Sequence, residues 1–134
     1  MEAIRPNEIW ERLGGGDRAG EAFARLVDAF YEGVETDPIL GPMYPADGEG
    51  MAEARVHLAL FLIQFCGGPT AYSEKRGHPR LRMRHLPFAI DAAARDAWLW
   101  HMTAALDRVP ELSEVAPILR NYFHNAAHFL QNRE

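Results

Sequence analysis

A short basic stretch, residues 72–88, carries the side chains whose types and spacing are best suited to chemistry. It holds five basic side chains, two histidines and two prolines, in a chain whose formal charge is −5. Pro79 suits the first turn of a helix and Pro87 marks its end, which predicts a helix of about two turns. Leu81 and His85, four residues apart, share one face of that helix. The stretch therefore presents one histidine on an apolar strip.

Arginines flank this strip. Arg80 and Arg84 are also four residues apart, about 100° around the helix axis, and Phe88 falls on the apolar side. An apolar disc with an iron atom at its centre and two carboxylates on its edge, which is a description of haem, would fit these groups. A histidine packed in a core beside a solvated arginine face would fit them as well. The stretch alone leaves both interpretations open.

The remaining sequence predicts the helices that would position these side chains. Apolar residues recur at three- and four-residue intervals, and no two-residue strand pattern is convincing. Asp17 and Asp91 are expected to cap two of the helices, and Ser113 to start the last. The sequence leaves a loop at 45–50 and an irregular segment at 69–78. It therefore predicts an all-α fold, with helices at about 7–13, 17–36, 51–66, 79–87, 91–108 and 113–130.

Composition limits the class of protein. A chain of 134 residues and 15.1 kDa predicts a single domain over residues 1–134. The acidic balance argues against a nucleic-acid partner, and no apolar run approaches the length that spans a membrane. Cys66 is the only cysteine, so neither an intrachain disulfide nor a thiolate zinc cluster can form. Residues 1–10 show no signal-peptide pattern, and we expect a cytoplasmic protein.

Three polar aromatic residues fall on apolar surfaces. Tyr31 lies inside the apolar stripe of its helix, Trp98 on the inward side of another helix, and Tyr44 just before a loop. A buried tyrosine hydroxyl or tryptophan N–H generally finds a hydrogen-bond acceptor. Backbone carbonyls would serve, and so would a dioxygen molecule bound opposite a histidine-held iron. Three such donors in a small all-α chain favour the second interpretation.

Six different motifs are spread over most of the chain, from about Gly15 to Asn132. They are Tyr31, the Tyr44-Pro45 pair, the FLIQ–GGP run at 61–69, YSEKRGHPRLRMRHLPF at 72–88, RDAW at 95–98 and AAHFL at 126–130. Together these motifs resemble those of the group II truncated haemoglobins. The 72–88 run combined with RDAW is the most specific part of the resemblance.

The resemblance implies a truncated-globin fold, a two-over-two sandwich of α-helices that holds haem b. His85 matches the proximal iron ligand. Tyr31 and Trp98 match residues that donate hydrogen bonds to the bound ligand, and Tyr44 matches an aromatic residue over the distal side of the haem. Trp100, two residues after Trp98, is expected to face another way and to lie at the surface.

The resemblance also implies further contacts. Ala54 stands where other globins place a distal histidine, and Leu58 lies one turn further on. Arg84 matches a residue that pairs with a haem propionate, and His57 occupies a position where an arginine commonly does so. The other expected haem contacts are Tyr72, His78, Phe61, Leu62, Leu81, Phe88 and Met102.

Three functions remain open from the sequence. The first is a haem protein that binds O₂ reversibly, an oxygen carrier, with NO and CO as other diatomic ligands. The second is a haem enzyme that uses the same site for NO dioxygenation or peroxide reduction, supplied with electrons by a reductase. The third is a helical interaction module without a cofactor, in which residues 72–88 form a basic docking patch. Either a monomer or a homodimer is compatible with the sequence.

Overall fold

The computed structural model describes residues 4–45 and 47–134, and all regular elements within them are helices. This confirms the all-α prediction. The α-helices are α1 (Ile9–Arg12), α2 (Gly16–Glu35), α3 (Gly48–Phe65), α4 (Ala71–Arg76), α5 (Leu81–His85), α6 (Ala92–Asp107) and α7 (Ala116–Leu130). Single turns of 3₁₀-helix cover Pro6–Glu8, Gly41–Met43 and Pro110–Leu112.

The apolar stripe of α2 forms the centre of the core. Phe23, Leu26, Val27, Phe30 and Val34 follow a three- and four-residue spacing, and each is at most 2% exposed. Helix α2 packs against α3 and α6, and α6 packs in turn against α7. The pairs α2–α3 and α6–α7 form the two layers of a two-over-two helical sandwich.

Several predicted helix ends were wrong, because side chains and glycines at the ends change where a helix can begin. Helix α2 starts at Gly16 after Gly15 (φ 60°), so Asp17 lies in its first turn and does not cap it. Helix α3 begins three residues before the predicted Met51, because Asp47 accepts a hydrogen bond from the Gly50 N–H at 2.6 Å. The predicted cap of α6 is confirmed: Asp91 accepts from the Ala94 N–H at 2.8 Å.

The basic stretch also differs from its prediction. The segment expected to be irregular contains α4, and the next helix begins only at Leu81. Pro79 therefore lies before the helix, because Arg80 adopts a left-handed conformation with φ 44° and its N–H donates to His78 Nδ1 at 3.1 Å. Arg80 and Arg84 thus do not form a row on one helix.

The first and the last α-helix both begin later than predicted. A turn of 3₁₀-helix occupies Pro6–Glu8 ahead of α1, and another occupies Pro110–Leu112 ahead of α7. The last helix starts at Ala116, three residues after Ser113, with Pro117 in its first turn. In the part of the chain that the structure describes, no helix is long and apolar enough to cross a membrane.

Candidate functional site

A cleft of about 400 Å³ opens between the two helical layers and the basic stretch. Helices α2 to α7 and the segment that follows α2 all contribute to its walls, which are largely apolar. The structure brings thirteen of the predicted site residues together there: Tyr31, Tyr44, Ala54, His57, Leu58, Phe61, Leu62, Tyr72, Leu81, Arg84, His85, Phe88 and Trp98.

His85, the last residue of α5, presents one free ring nitrogen to this cleft. Its Nδ1 lies 2.6 Å from the Leu81 carbonyl oxygen, one turn earlier. Because a carbonyl only accepts, Nδ1 carries a hydrogen, and in the tautomer with one ring hydrogen Nε2 keeps its lone pair. The side chain is half-buried and its ring centre lies 6.5 Å from that of Phe88. A neutral imidazole in this tautomer is the form that binds a metal.

Asn132 fixes the segment that follows His85, and sequence reasoning missed it. Its amide donates to the carbonyls of Phe88 at 2.9 Å and His85 at 3.3 Å, while its oxygen accepts from the Ile90 N–H at 2.9 Å. These bonds tie the end of α5 to the C-terminal residues of the chain. A single asparagine beyond the last helix carries no sequence pattern that would have revealed this contact.

Tyr31, Tyr44 and Trp98 gather at one part of the cleft. The rings of Tyr31 and Tyr44 meet edge to face with centres 5.4 Å apart, and Phe30 packs between Tyr31 and Trp98 at 5.1 and 5.4 Å. The Trp98 indole N–H is directed at the Tyr44 hydroxyl. The Tyr31 hydroxyl, the Tyr44 hydroxyl and the Trp98 indole thus lie on the same part of the cleft lining.

Burial keeps the two tyrosines in the neutral form. It raises the pKa of Tyr31 far above its ordinary value, and the neighbouring Tyr44 adds to the rise more than Arg55 opposes it. Burial also raises the pKa of Tyr44 to about 12, although the adjacent Trp98 indole favours the phenolate. A neutral phenol retains its hydrogen, so each tyrosine can donate a hydrogen bond.

Asp37 and His101 form a polar pair outside the cleft that positions the turn before Tyr44. Asp37 accepts hydrogen bonds from the Ile39 and Leu40 N–H groups at 2.8 and 2.9 Å, and its second oxygen lies 2.7 Å from His101 Nε2. The Leu40 bond, with the His101 contact, lowers the pKa of Asp37. The turn that leads to Tyr44 is thereby held against α6.

Of the three arginines that line the cleft, Arg76 and Arg84 come from α4 and α5. Arg84 donates to the carbonyls of Pro79 and Arg76 at 2.8 and 3.1 Å, which aims its guanidinium without neutralising it. Arg76 lies over the ring of Tyr72, 5.8 Å from its centre. Burial and then the charge of Arg76 lower the pKa of His57. The cleft thus combines an apolar interior with positive charge at one side.

Comparison with known proteins identifies the family. The model of the bacterial-like globin family matches residues 8–132. A group 2 truncated haemoglobin of Bacillus subtilis is 40% identical over 113 residues, which is 84% of this chain and 83% of that protein.

Two solved structures are also similar. One is a haemoglobin of Chloroflexus aurantiacus (47% identity, TM-score 0.85, covering 94% of this chain and 98% of that one). The other is described as a truncated oxygen-avid haemoglobin from Bacillus subtilis (38% identity, TM-score 0.82, covering 93% and 99%). The chain belongs to the bacterial-like globins, and among them to the group II truncated haemoglobins. It is therefore a haem globin.

Two of the predicted haem contacts of this globin lie outside the cleft lining. His78 is exposed and accepts the Arg80 N–H. Met102, one turn after Trp98, is fully buried in the core. Trp100 is 67% exposed, which confirms that it faces away from Trp98.

The cleft of this globin also has walls that the sequence analysis did not assign. The apolar spacing of α7 marked one face as buried, but could not show that this face borders a cavity. The additional lining residues are Leu40, Met43, Pro45, Arg76, Ile90, Ala94, Arg95, Tyr122, Phe123, Ala126, Ala127 and Leu130.

The chemistry of the lining fits haem. A macrocycle needs apolar walls, an axial nitrogen and cations for its carboxylates. This globin offers largely apolar walls, the free Nε2 of His85, and the guanidinium groups of Arg76 and Arg84. The lining also holds the hydroxyl of Tyr31 and the indole of Trp98, which can donate hydrogen bonds.

Proposed function

We propose that this globin holds haem b in the cleft and binds O₂ reversibly at the iron. The observation that supports this most directly is the composition of the cleft lining. It contains one imidazole whose Nδ1 is committed to the Leu81 carbonyl, together with the hydroxyl of Tyr31 and the indole of Trp98.

His85 is the proposed axial ligand. Haem supplies an iron that, when ferrous and held by one imidazole, has an open position at which a diatomic ligand such as O₂, NO or CO binds. The Leu81 carbonyl fixes the tautomer and the direction of the imidazole ring, which leaves Nε2 for the metal. Asn132 holds the end of α5 against the C-terminal residues and so limits movement of the ring.

Tyr31 and Trp98 are the proposed donors to O₂, and Tyr44 supports them. O₂ gains partial negative charge on binding, and a net hydrogen bond contributes roughly 1 kcal/mol, or more to a charged acceptor. Two such bonds would slow O₂ release by about one to three decades, since 1.4 kcal/mol is a factor of ten. A relative described as oxygen-avid, 38% identical to this chain, supports this expectation. Ala54 and Leu58 leave space beside the ligand without adding a polar group.

Arg84 is the proposed partner of one haem propionate, and Arg76 joins it. Both guanidinium groups line the cleft, and neither forms an ion pair with a carboxylate among the residues described. Charge-assisted hydrogen bonds from a guanidinium to a carboxylate are among the stronger polar contacts in proteins. His57 lines the same cleft, but its lowered pKa favours the neutral ring and makes it a weaker partner.

The cluster of donors also favours a second candidate function. Slow O₂ release is unsuited to bulk oxygen transport, whereas it suits conversion of NO to nitrate or reduction of peroxide. Tyr31 and Tyr44 remain neutral and could supply hydrogen bonds to either substrate. This function would need a reductase, and NO consumption measured with and without an electron donor would distinguish it from simple O₂ binding.

The effect of Trp98→Phe on O₂ release tests the proposed donor role. The substitution removes the indole N–H and keeps an aromatic ring, so we expect O₂ dissociation to accelerate by about tenfold. Stopped-flow displacement of O₂ by CO measures this rate. Trp100→Phe is the matched control, because Trp100 is 67% exposed, and its rate should equal that of the wild-type protein. An equal rate in Trp98→Phe and the control would remove the indole from the proposed function.

A further inference from the structure

Charge is distributed unevenly along this acidic chain. Residues 71–90 hold five basic side chains and one acidic side chain, a net charge of +4. Since the whole chain carries −5, the remaining residues carry −9. The positive charge is therefore concentrated in one segment, which also carries His85 and borders the cleft.

The basic side chains of this segment also lack the ion pairs formed elsewhere. Six arginines outside it lie within 4.0 Å of a carboxylate oxygen: Arg12, Arg25, Arg55, Arg95, Arg108 and Arg120. In the described part of the chain, none of the five basic side chains of residues 71–90 does so. Their charge is consequently available to a partner.

These five cations divide into two groups. Arg76 and Arg84 are half-buried and line the cleft, where the proposed function assigns them to the haem propionates. Lys75, Arg80 and Arg82 are exposed and do not line the cleft. Occupation of the cleft by haem would leave this second group facing outward.

Exposed apolar side chains accompany the outward group. Met83, Leu86, Phe88 and Phe129 are between 41% and 57% exposed, and they are four of the seven large apolar side chains that are exposed in the described residues. The Arg82 guanidinium lies over the ring of Phe129, 5.5 Å from its centre. We name the surface formed by Lys75, Arg80, Arg82, Met83, Leu86, Phe88 and Phe129 the basic-apolar face. Phe88 also lines the cleft, so this face reaches the cleft opening.

We propose that the basic-apolar face docks an acidic one-electron carrier, a protein that contains a reduced flavin or an iron–sulphur cluster. This proposal rests on the proposed function, because it requires haem in the cleft. Ferric iron must gain one electron before it can bind O₂. The carrier loses that electron and the iron becomes ferrous, with no covalent bond made or broken.

Both the charge and the apolar part of the face suit such a partner. Transient redox complexes use small interfaces, and complementary charge raises their association rate more than their final affinity. The acidic remainder of this globin would repel an acidic carrier and turn it towards the basic-apolar face. An anionic membrane could bind the same cations, but membrane binding would not require the face to border the cleft opening, whereas electron transfer to haem would.

Binding and reduction measured together test the proposal. The ferric haem-loaded protein is titrated with an oxidised acidic [2Fe–2S] ferredoxin, and separately with an oxidised acidic flavodoxin, by calorimetry at about 20 mM and 300 mM ionic strength. Anaerobic stopped-flow mixing with each reduced carrier then gives the second-order rate of iron reduction. We expect at least one carrier to bind weakly, with affinity and rate falling about tenfold or more at the higher salt.

Matched charge reversals identify the surface used. Arg80→Glu with Arg82→Glu should lower the affinity and reduction rate about tenfold further at low salt. Arg5→Glu with Arg18→Glu changes the net charge equally at exposed positions on other elements, and should have less than a threefold effect. Unchanged haem absorption and helix content in each variant confirm that folding and haem binding are intact.

Three results would overturn the proposal. They are an equal effect of both double variants, no salt-sensitive binding of either carrier, and capture of the protein by phosphatidylserine-containing vesicles through this face while neither carrier binds. Any of these results obtained with normally haem-loaded protein would leave the proposed function intact. Failure of the wild-type protein to hold haem would instead contradict the proposed function itself.

Discussion

At the scale of single residues, the tautomer of His85 and the neutral state of two tyrosines determine what the cleft can do. The Leu81 carbonyl assigns a hydrogen of the imidazole to Nδ1, so Nε2 is the ring nitrogen that could bind a metal. Burial keeps the hydroxyl groups of Tyr31 and Tyr44 protonated, because the phenolate form would be poorly solvated.

The tyrosine pKa values predict that O₂ dissociation does not change between pH 7 and pH 10. A phenol with its ordinary pKa near 10 would lose half of its donor capacity at the upper limit. Because the pKa values of Tyr31 and Tyr44 are both raised, to about 12 for Tyr44, both groups remain donors throughout this range. Stopped-flow O₂ release in buffers across this interval measures the effect. An acceleration with a midpoint near pH 10 would contradict the assignment of neutral donors.

At the scale of elements, the end of α3 depends on a close backbone contact. Gly67 follows the C-cap residue of α3 with φ 94°, and a Cβ atom built there would overlap the Asn7 carbonyl oxygen. The adjacent Trp10 N–H donates to the Cys66 carbonyl at 2.9 Å. The N-terminal segment is therefore packed backbone to backbone against the end of α3, where only glycine leaves room.

Gly67→Ala should consequently destabilise the fold by about 3 kcal/mol or more, from left-handed strain together with overlap. Gly14→Ala is the matched control. Gly14 has a similar φ of 97°, but a Cβ atom there would meet only the flexible Arg18 side chain at 3.7 Å. Its cost should be about 1–2 kcal/mol, from backbone strain alone. Urea denaturation of both variants measures the difference, and equal losses would show that the Asn7 contact is unimportant.

The sequence predicted the long helices because their burial is periodic. The stripe of α2 contains Phe23 and Phe30 at regular spacing, and core packing follows that spacing directly. The helix ends were harder to predict, because they depend on single contacts. Asp47 starts α3 early by accepting one N–H, and the left-handed Arg80 delays the start of α5. Neither the Asp47 hydrogen bond nor the left-handed backbone of Arg80 follows from residue type alone.

The cleft was predictable from the sequence where a motif carried the information, and not elsewhere. The basic stretch and the family resemblance pointed to His85, Tyr31 and Trp98, and all three line the cleft. The contribution of Arg76 depends on how α4 lies beside α5, which residue spacing does not determine. Met102 shares the inward side of α6 with Trp98, but one further turn places it in the core. Periodicity thus identifies a buried face without separating core from cavity.

At the scale of the whole molecule, stability is concentrated away from the basic stretch. Helices α2, α6 and α7 together supply most of the buried side chains, whereas α5 contains none. The end of α5 is held mainly through Asn132 and contacts with α7. A cofactor in the cleft would therefore add a large share of the contacts that order this stretch.

Removal of haem should accordingly loosen residues 71–90 more than the rest of the molecule. We expect amide hydrogens there to exchange at least tenfold faster in the haem-free protein, with far smaller changes in α2 and in the buried half of α6. Hydrogen exchange followed by mass spectrometry on both forms measures this. A uniform increase along the chain would indicate global destabilisation and contradict the expected local effect.

The central claim is that His85 holds the iron of a haem in this cleft. The most direct test is the absorption spectrum of the ferrous, ligand-free protein for the wild type, His85→Gly and the control His78→Gly, whose side chain is exposed and outside the cleft. The claim predicts a five-coordinate histidine-ligated spectrum in the wild type and control, its loss in His85→Gly, and its return when free imidazole is added. A wild-type spectrum in His85→Gly without imidazole would show that another residue holds the iron.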